Sequence, residues 1–369
     1  MPESSIQYRA ALVAPAVAPD RILLARELRG WTQTELVAAA SDAFTTAALS
    51  QLEQGRTRPS VNTLMAIADA TGCPVEFFVR RPLDADQPGF FRSLKSTSAR
   101  QRRQHLARAR LLHDFVVALE DHVALPELRI PKLRLQIDDG RFVESAAQVV
   151  RRAWDLDDGP IPNVVRELER HGAVVVRAAN FTREVDAFSV WYQGRPIIVL
   201  GSEKGVTARS RFDAAHELGH LVLHADQDAG NSDTERQAHA FAAAFLMPES
   251  TIRGELPATA DWSVLMRLKA RWRVSIAALL RRARTLDIMN EHRYTNAVKA
   301  MSARGWRITE PGDDVLGALE QPVLIDRALH QLHSLGLDVD AIAAEAALPA
   351  ADLHTLIRAT RDPRPGIRL

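Results

Sequence analysis

The most informative stretch of the chain reads His216-Glu217-Leu218-Gly219-His220. On a helix, residues four apart lie on one face, so His216 and His220 can present two imidazoles to one metal ion. Glu217 can then lie beside that metal and act as a general base on its bound water. The residues around the motif are largely apolar and predict a helix in the core of a domain; they are Phe212, Ala214, Ala215, Leu218, Leu221, Val222 and Leu223.

Chance alone could place two histidines four residues apart, because the chain has 12 histidines. The order H-E-x-x-H is nevertheless typical of zinc metallopeptidases, in which the helix supplies two ligands and a base. His224 continues the series by one more turn and lies about 6 Å further along the axis. Two interpretations of His224 stay open: a further metal ligand, or a buried histidine that contacts the ligands.

A second apolar helix is predicted from Glu235 to Met247, where Pro248 stops it. HELGH followed by this E-x-x-A-H-A-F-A-A-A-F-L-M-P segment resembles the ImmA/IrrE family of metallopeptidases. The resemblance implies a zinc cofactor, with Glu235 as the third ligand in a gluzincin-type site. Two residues depart from the family pattern: His239 stands at an Asn position, and Phe245 at a Leu position. His239 is near enough to the metal to alter the surroundings of its ligands.

The N-terminal part, from 19 to 82, reads as five short helices. Thr32 and Glu35 have the spacing of a capping box at a helix start. Ser60 is a predicted N-cap, and Gly72 is predicted just past the end of the same helix. The turn before the third helix, from Ser41 to Thr45, is about two residues longer than usual, which leaves the start of that helix open.

Two segments of this part, 31–36 and 49–60, resemble the Cro/C1-type (XRE) helix-turn-helix family. The resemblance implies that the third helix enters the major groove of a double-stranded DNA operator. Glutamine can bond adenine bidentately, short side chains let a helix seat deeply, and arginine neutralises phosphates. The predicted DNA-contacting residues are Gln33, Thr45, Thr46, Ala47, Gln51, Arg56 and Arg58.

A basic run without any acidic residue follows between Phe90 and His113. Its members are Arg92, Lys95, Arg100, Arg102, Arg103, Arg108 and Arg110. Such a run is usually a solvated helix face. The alternatives are a surface that contacts phosphates and a strut between domains.

The middle of the chain changes from helical to strand periodicity. Helices are predicted at 145–154 and 164–172, and strands at 173–177, 187–192 and 195–200, the last two flanking Gln193-Gly194 as a hairpin. The predicted fold class is mainly α with a small β-sheet: a five-helix helix-turn-helix domain, a zincin-like α+β peptidase domain and a helical C-terminal domain. The predicted boundaries are 1–18 (flexible tail), 19–82 (DNA-binding), 83–135 (basic helical linker), 136–288 (peptidase) and 289–369 (C-terminal, with leucine-rich helices at 325–335 and 339–357).

The composition says more about the cellular compartment of the protein than about its function. With 47 basic and 46 acidic residues, net charge says nothing about nucleic acid. The single cysteine, Cys73, excludes an intramolecular disulfide and suits a reducing compartment. No apolar run reaches the roughly 18 residues that a membrane span needs. We therefore expect a cytoplasmic, nucleoid-associated protein without a membrane partner.

These features predict a DNA-binding transcriptional regulator with a zinc-dependent endopeptidase domain. It would cleave a regulatory protein such as a repressor, or itself, in response to a stress signal or a phage or mobile-element signal. A homodimer is expected, because one short helix-turn-helix reads few base pairs. The alternative is a non-proteolytic repressor whose peptidase-like domain senses a ligand or a partner.

Overall fold

The computed structural model describes residues 3–80, 98–133, 140–178, 187–192, 194–201, 206–225, 232–307 and 309–361. Within these ranges the chain is mainly α-helical and has one three-stranded sheet, which confirms the predicted fold class. No described helix combines the length and the apolar character that crossing a bilayer requires.

The helices are, in chain order, α1 (Glu3–Val13), α2 (Pro19–Leu28), α3 (Gln33–Ala39), α4 (Thr46–Glu53), α5 (Val61–Thr71), α6 (Ala99–Glu120), α7 (Gly140–Ala153), α8 (Val164–Arg170), α9 (Thr207–Leu223), α10 (Ser232–Leu246), α11 (Glu249–Ile252), α12 (Trp262–Trp272), α13 (Ile276–Thr285), α14 (Glu291–Ala303), α15 (Leu324–Ser334), α16 (Val339–Glu345) and α17 (Ala350–Arg361). Short 3₁₀ helices span Ala14–Ala16, Val75–Val79 and Asp314–Leu316. The strands are β1 (Val174–Ala178), β2 (Ala187–Tyr192) and β3 (Arg195–Gly201).

The described residues form two compact units. The first contains 3–80, 98–125 and 325–360, and the second contains the described residues between 126 and 324. The segment predicted as one C-terminal domain, 289–369, is therefore divided between the two units, and 362–369 lie outside the described residues. The predicted linker, 83–135, is divided as well, with 83–97 outside the described residues.

Residues Glu3–Val13 and Ala14–Ala16 are helical, whereas the sequence predicted a flexible tail over 1–18. Ala10 is fully buried and Ala14 nearly so, and α1 contacts both α5 and the 3₁₀ helix Val75–Val79. Small side chains at these positions let α1 lie close to its neighbours, which the tail prediction did not consider.

The caps of the helix-turn-helix follow the sequence prediction. Thr32 and Glu35 form the full capping box of α3, Ser60 caps α5, and Gly72 takes the left-handed conformation after α5. The long turn before α4 uses Ser41 and Asp42 at positive φ. Thr45 accepts a hydrogen bond from the Ala48 backbone N–H at 3.1 Å, so α4 begins at Thr46.

The basic run on α6 joins this helix to the helix-turn-helix segment of the first unit by ion pairs. Its arginines pair with acidic residues of the helix-turn-helix segment: Arg100 with Glu35 at 2.9 Å, Arg103 with Glu27 at 3.5 Å and Arg110 with Asp20 at 3.0 Å. In the buried part of the same contact, Arg21 donates to Asp114. Arg92 and Lys95 lie outside the described residues.

The last helices complete the first unit. Both terminal guanidinium nitrogens of Arg29 in α2 donate to the Asp352 carboxylate of α17, with Nη1 at 2.8 Å from Oδ1. Arg80 donates to the Ala346 carbonyl at 2.6 Å. The predicted helix at 339–357 is in fact two helices, because Ala347 has a φ of 50° and Pro349 follows it. Of the leucines in the last three helices and their turns, Leu332, Leu348 and Leu353 are buried, as is Ile357, whereas Leu335 is exposed.

The sheet of the second unit has the order β1-β3-β2, with β1 parallel and β2 antiparallel to β3. The strands agree with their predicted positions to within one residue at each end. Helix α9, which carries HELGH, packs on β2 and β3 on one side and on α10 on the other, and α10 packs on α7. Gly194 of the predicted hairpin has a φ of 82°, whereas Gln193 is outside the described residues.

A buried cluster of charges ties the end of this unit to α9. The Glu320 carboxylate pairs with Arg211, and both side chains are at most 3% exposed. Arg177 donates to the Glu320 backbone carbonyl at 2.6 Å, and burial lowers the pKa of the Arg177 guanidinium to about 10. These contacts link β1 and the start of α9 to residues more than a hundred positions later.

Candidate functional site

The two histidines of HELGH face one another in the core. The Nε2 atoms of His216 and His220 lie 3.0 Å apart, and each side chain is about 1% exposed. Glu235 lies near the start of α10. Its Oε2 is 3.5 Å from His216 Nε2, and its Oε1 is 3.5 Å from His220 Nε2. Among the described residues, these three form a group whose ligand atoms all lie within 4.8 Å of one another.

This donor set suits zinc. Ligand atoms about 2.0–2.2 Å from one zinc ion at tetrahedral angles lie about 3.4 Å from one another. Each His–Glu separation of 3.5 Å involves a different carboxylate oxygen of Glu235 and is close to that edge, and the His–His separation of 3.0 Å is slightly shorter. Two imidazoles and one carboxylate would leave a fourth position for water or substrate, as in catalytic zinc sites.

Glu235 is held ionised, as a metal ligand must be. Burial favours its protonated form, but His216 and His220 together keep the pKa of the carboxyl well below its ordinary value. Its side chain is 20% exposed, whereas those of the two histidines are almost fully enclosed. The group is therefore approached from the Glu235 side.

His224 supports His220 instead of joining the donor group. Its Nδ1 lies 3.1 Å from His220 Nδ1, and its Nε2 lies 2.8 Å from Gln237 Oε1. One arrangement of protons satisfies every contact: His220 Nδ1–H donates to His224 Nδ1, and His224 Nε2–H donates to Gln237. That arrangement leaves His220 Nε2 without a proton and able to bind a metal. Burial lowers the pKa of His224 to about 4, in agreement with the neutral ring that this relay needs.

Glu217 is fixed by a residue that the sequence did not single out. The Ser189 hydroxyl donates to Glu217 Oε2 at 2.7 Å, and both residues are buried. Ser189 lies in β2, whose sequence Ala-Phe-Ser-Val-Trp-Tyr is otherwise apolar or aromatic, and all six residues are buried. A lone hydroxyl in a strand buried on both faces requires a polar partner, and this was the available signal.

The glycine of HELGH brings the two ligand-bearing helices together. A Cβ added at Gly219 would lie 3.1 Å from the Phe241 ring and 3.2 Å from the Ala238 backbone. Contacts this short are tighter than most that real Cβ atoms make, so the absence of a side chain at Gly219 favours the close approach of α10 to α9. The same approach brings Glu235 within reach of the histidines.

The two departures from the family pattern have different surroundings. The His239 ring centroid lies 4.7 Å from that of His216 and 5.5 Å from that of Phe212, so His239 flanks the donor group. Phe245 is fully buried and packs edge-on against Trp154. Phe245 therefore belongs to the core and not to the site.

We expect about one zinc ion per chain, and its loss from the variants His216→Ala, His220→Ala and Glu235→Ala. Each variant removes one of three donors and leaves a site with too few ligands. Glu217→Gln should retain zinc, because its carboxylate contacts Ser189 and is not part of the donor group. Elemental analysis after gel filtration measures the content. Full zinc occupancy in Glu235→Ala would move the third ligand elsewhere, with His239 the nearest alternative.

The predicted DNA-contacting residues fall into two groups: residues with exposed side chains, and residues whose side chains form hydrogen bonds within the protein. Thr46, Ala47, Gln51, Arg56 and Arg58 are exposed on or just after α4. Gln33 is half-buried, and its amide nitrogen donates to Glu53 at 2.8 Å. Thr45 is exposed, but its hydroxyl caps α4. Gln33 and Thr45 therefore hold the helices in place, and DNA contacts by the exposed residues on and after α4 stay a prediction.

Gln51→Ala should weaken operator binding by about 1–3 kcal/mol and relax the base preference at one position, because a bidentate contact would be lost. Arg56→Ala should weaken binding to all sequences alike and flatten its salt dependence. Fluorescence anisotropy with operator and scrambled duplexes at several salt concentrations separates the two effects. A uniform loss in both variants would contradict base recognition by Gln51.

Comparison with known families agrees with both parts of the structure. Residues 22–78 match the helix-turn-helix family model, within the 19–82 predicted from the sequence. Residues 168–284 match the IrrE N-terminal-like domain of the M78 peptidases, within the predicted 136–288. A search of curated proteins found no significant match. The chain therefore joins an XRE-type helix-turn-helix segment, which is a DNA-binding module, to an ImmA/IrrE-like domain of a metallopeptidase family.

Proposed function

We propose that this protein is a transcriptional regulator whose ImmA/IrrE-like domain is a zinc-dependent endopeptidase. It cleaves a regulatory protein, either a separate repressor or this chain itself, in response to a stress signal or a phage or mobile-element signal. One observation carries the proposal: Glu217, fixed by Ser189, lies on α9 next to His216, and His216 and His220 form a three-donor group with Glu235 of α10. A purely structural metal site does not need that glutamate.

The residues of the site have separate tasks in this chemistry. A metal ion held by His216, His220 and Glu235 supplies Lewis acidity toward the scissile carbonyl and the attacking water. Glu217 accepts the proton of the water and passes it to the leaving amine. Ser189 keeps the Glu217 carboxylate in one orientation, so that it does not have to be ordered in each turnover. Burial of these groups excludes bulk water and strengthens their electrostatic interactions.

The alternative function, a repressor that senses a ligand without proteolysis, draws on a cavity of about 1160 Å³ that Glu235 and His239 help to line. A small molecule could occupy such a space. It would not account for the Ser189–Glu217 hydrogen bond, and we therefore favour proteolysis.

The test incubates the zinc-loaded full-length protein with itself and with DNA-bound repressors, with and without single-stranded DNA as a damage-related signal. Mass spectrometry of the products identifies the cleaved bonds. Zinc-dependent cleavage that Glu217→Gln abolishes supports the proposal. If no protein is cleaved, while a small molecule changes operator affinity equally in wild type and Glu217→Gln, the sensing function replaces it.

The remaining partners are proposed on the same basis. A DNA-binding module places the action in the compartment that holds DNA, and paired half-sites favour a homodimer. Sedimentation of the intact protein with and without operator DNA measures the oligomeric state.

A further inference from the structure

A large groove opens beside the donor group in the second unit. It has a volume of about 1160 Å³ and is bounded by parts of α7, α9, α10, α13 and α14. We infer that this groove binds the polypeptide segment next to the scissile bond, and that it selects segments combining a large apolar side chain with nearby carboxylates. The inference rests on the proposed peptidase function and names the class of substrate.

The inner wall of the groove is apolar. Tyr294, Val298 and Met301 lie at i, i+4 and i+7 on α14 and line it as one stripe, with Phe212 of α9 and Ala243 of α10 among the other lining residues. Pockets of 300–1000 Å³ hold drug-sized molecules, so this volume of about 1160 Å³ has room for an aromatic side chain and its neighbours. An apolar wall of this kind favours Phe-like or Leu-like side chains.

Most carboxylates that line the groove are compensated from within the protein. Glu144 accepts from Arg282 at 2.7 Å. Glu310 accepts from Lys269 at 2.9 Å and also from the first backbone N–H groups of α13, and Asp313 pairs with the same lysine. Two other carboxylates line the groove: Glu235, which belongs to the donor group, and Asp213, which acts electrostatically on Arg177.

The arginines at the groove are not matched in the same way. Arg209, Arg281 and Arg307 line it and are exposed, and none of them forms an ion pair with a described residue. Arg281 acts on Glu291 only at longer range, since Glu291 is bound by Arg284 at 2.8 Å. Arg236 also lines the groove, but it is paired with Asp233. The groove therefore presents three exposed arginines that pair with no described carboxylate, above an apolar wall, and this is complementary to an acidic segment with an apolar anchor.

Among the described residues, the edge strand beside α9 offers no open place for the substrate backbone. Extended peptides often bind by adding a strand to an exposed sheet edge. All six residues of the edge strand β2 are buried, including Ser189, which contacts Glu217. The approach from the Glu235 side therefore leads through the groove.

The test measures binding without turnover. Zinc-loaded full-length Glu217→Gln is titrated against three fluorescein-labelled nonapeptides: a central Phe flanked by two Glu, the same Phe flanked by two Lys, and a central Ser flanked by two Glu. We expect the Phe–Glu peptide to bind about 10-fold more tightly than either of the others, since each replacement removes charge or apolar complementarity. Equal affinities, or no binding at millimolar peptide, would overturn the inference.

Charge reversal locates the effect. In the same background, Arg209→Glu combined with Arg281→Glu should remove the preference for the Glu-flanked peptide, a loss of about 10-fold. Both side chains are exposed, so the fold should tolerate the change; circular dichroism and zinc content check this. Arg166→Glu is the matched control, because Arg166 is exposed on α8 and does not line the groove. A preference that survives the double reversal, or that Arg166→Glu removes as well, contradicts the inference.

Cleavage by the wild-type protein separates this inference from the proposed function. Cleavage of all three peptides at similar rates would keep the peptidase and overturn the groove's selectivity. Preferential binding of the Phe–Glu peptide without cleavage would support the selectivity and count against the peptidase.

Discussion

Glu217→Gln is expected to lower the rate of peptide-bond cleavage by about 10²–10⁴-fold, because it removes the general base and keeps the shape of the side chain. Zinc content, thermal stability and operator affinity should stay at the wild-type level, since Glu217 is outside the donor group and in a different unit from the helix-turn-helix. The decisive measurement is cleavage per zinc ion at saturating substrate.

Two variants give this prediction its controls. Glu249→Gln makes the same chemical change on an exposed carboxylate that pairs with Arg253, and should leave the rate unchanged. Ser189→Ala removes the hydrogen bond to Glu217 and should lower the rate less than Glu217→Gln, with a changed pH profile. If Glu217→Gln cleaves at the wild-type rate, Glu217 is not the base. If promoter regulation in cells also responds normally in this variant, proteolysis is not the switch.

Glu320→Ala is expected to lower the free energy of unfolding of the second unit by about 3–5 kcal/mol, because it leaves the Arg211 guanidinium charged, buried and without its carboxylate. The variant also removes an acceptor for the Val165 backbone N–H, now at 3.2 Å. Urea unfolding followed by tryptophan fluorescence measures the loss. The signal reports mainly on this unit, since five of the six tryptophans lie in it and only Trp31 lies in the other.

The matched control for Glu320→Ala is Glu127→Ala. Glu127 pairs with Arg129 at 3.2 Å, but its side chain is 82% exposed, so its loss should cost less than about 1 kcal/mol. In Glu320→Leu combined with Arg211→Met, apolar residues replace both charges, and part of the stability should return. A loss below 1 kcal/mol in Glu320→Ala would show that the remaining contacts of Arg211, to the Ile161 and Pro162 carbonyls, are enough to hold its charge.

Local periodicity and capping decided what the sequence could predict. His216 and His220 share a helix face through the i, i+4 rule, and the caps at Thr32 and Ser60 depend on residues three positions away. The sheet strands followed from short apolar runs and from the turn signal Gln193-Gly194. Glu235 entered through a family resemblance, and no local rule would have placed its carboxylate beside two histidines on another helix.

Tertiary structure decided everything that depends on distant parts of the chain. Arg29 and Asp352 are 323 positions apart, so no sequence window could show that the last helices complete the DNA-binding unit. The basic run on α6 had three possible roles, and only the acidic partners on α2 and α3 showed that Arg100 and Arg103 form ion pairs within the first unit. Ser189 and Glu217 meet because a buried strand packs on the HELGH helix. In each case the packing between elements decides which residue becomes the partner. A polar group that folding buries needs a hydrogen bond from a residue that is near in space, and that residue can be distant in the sequence.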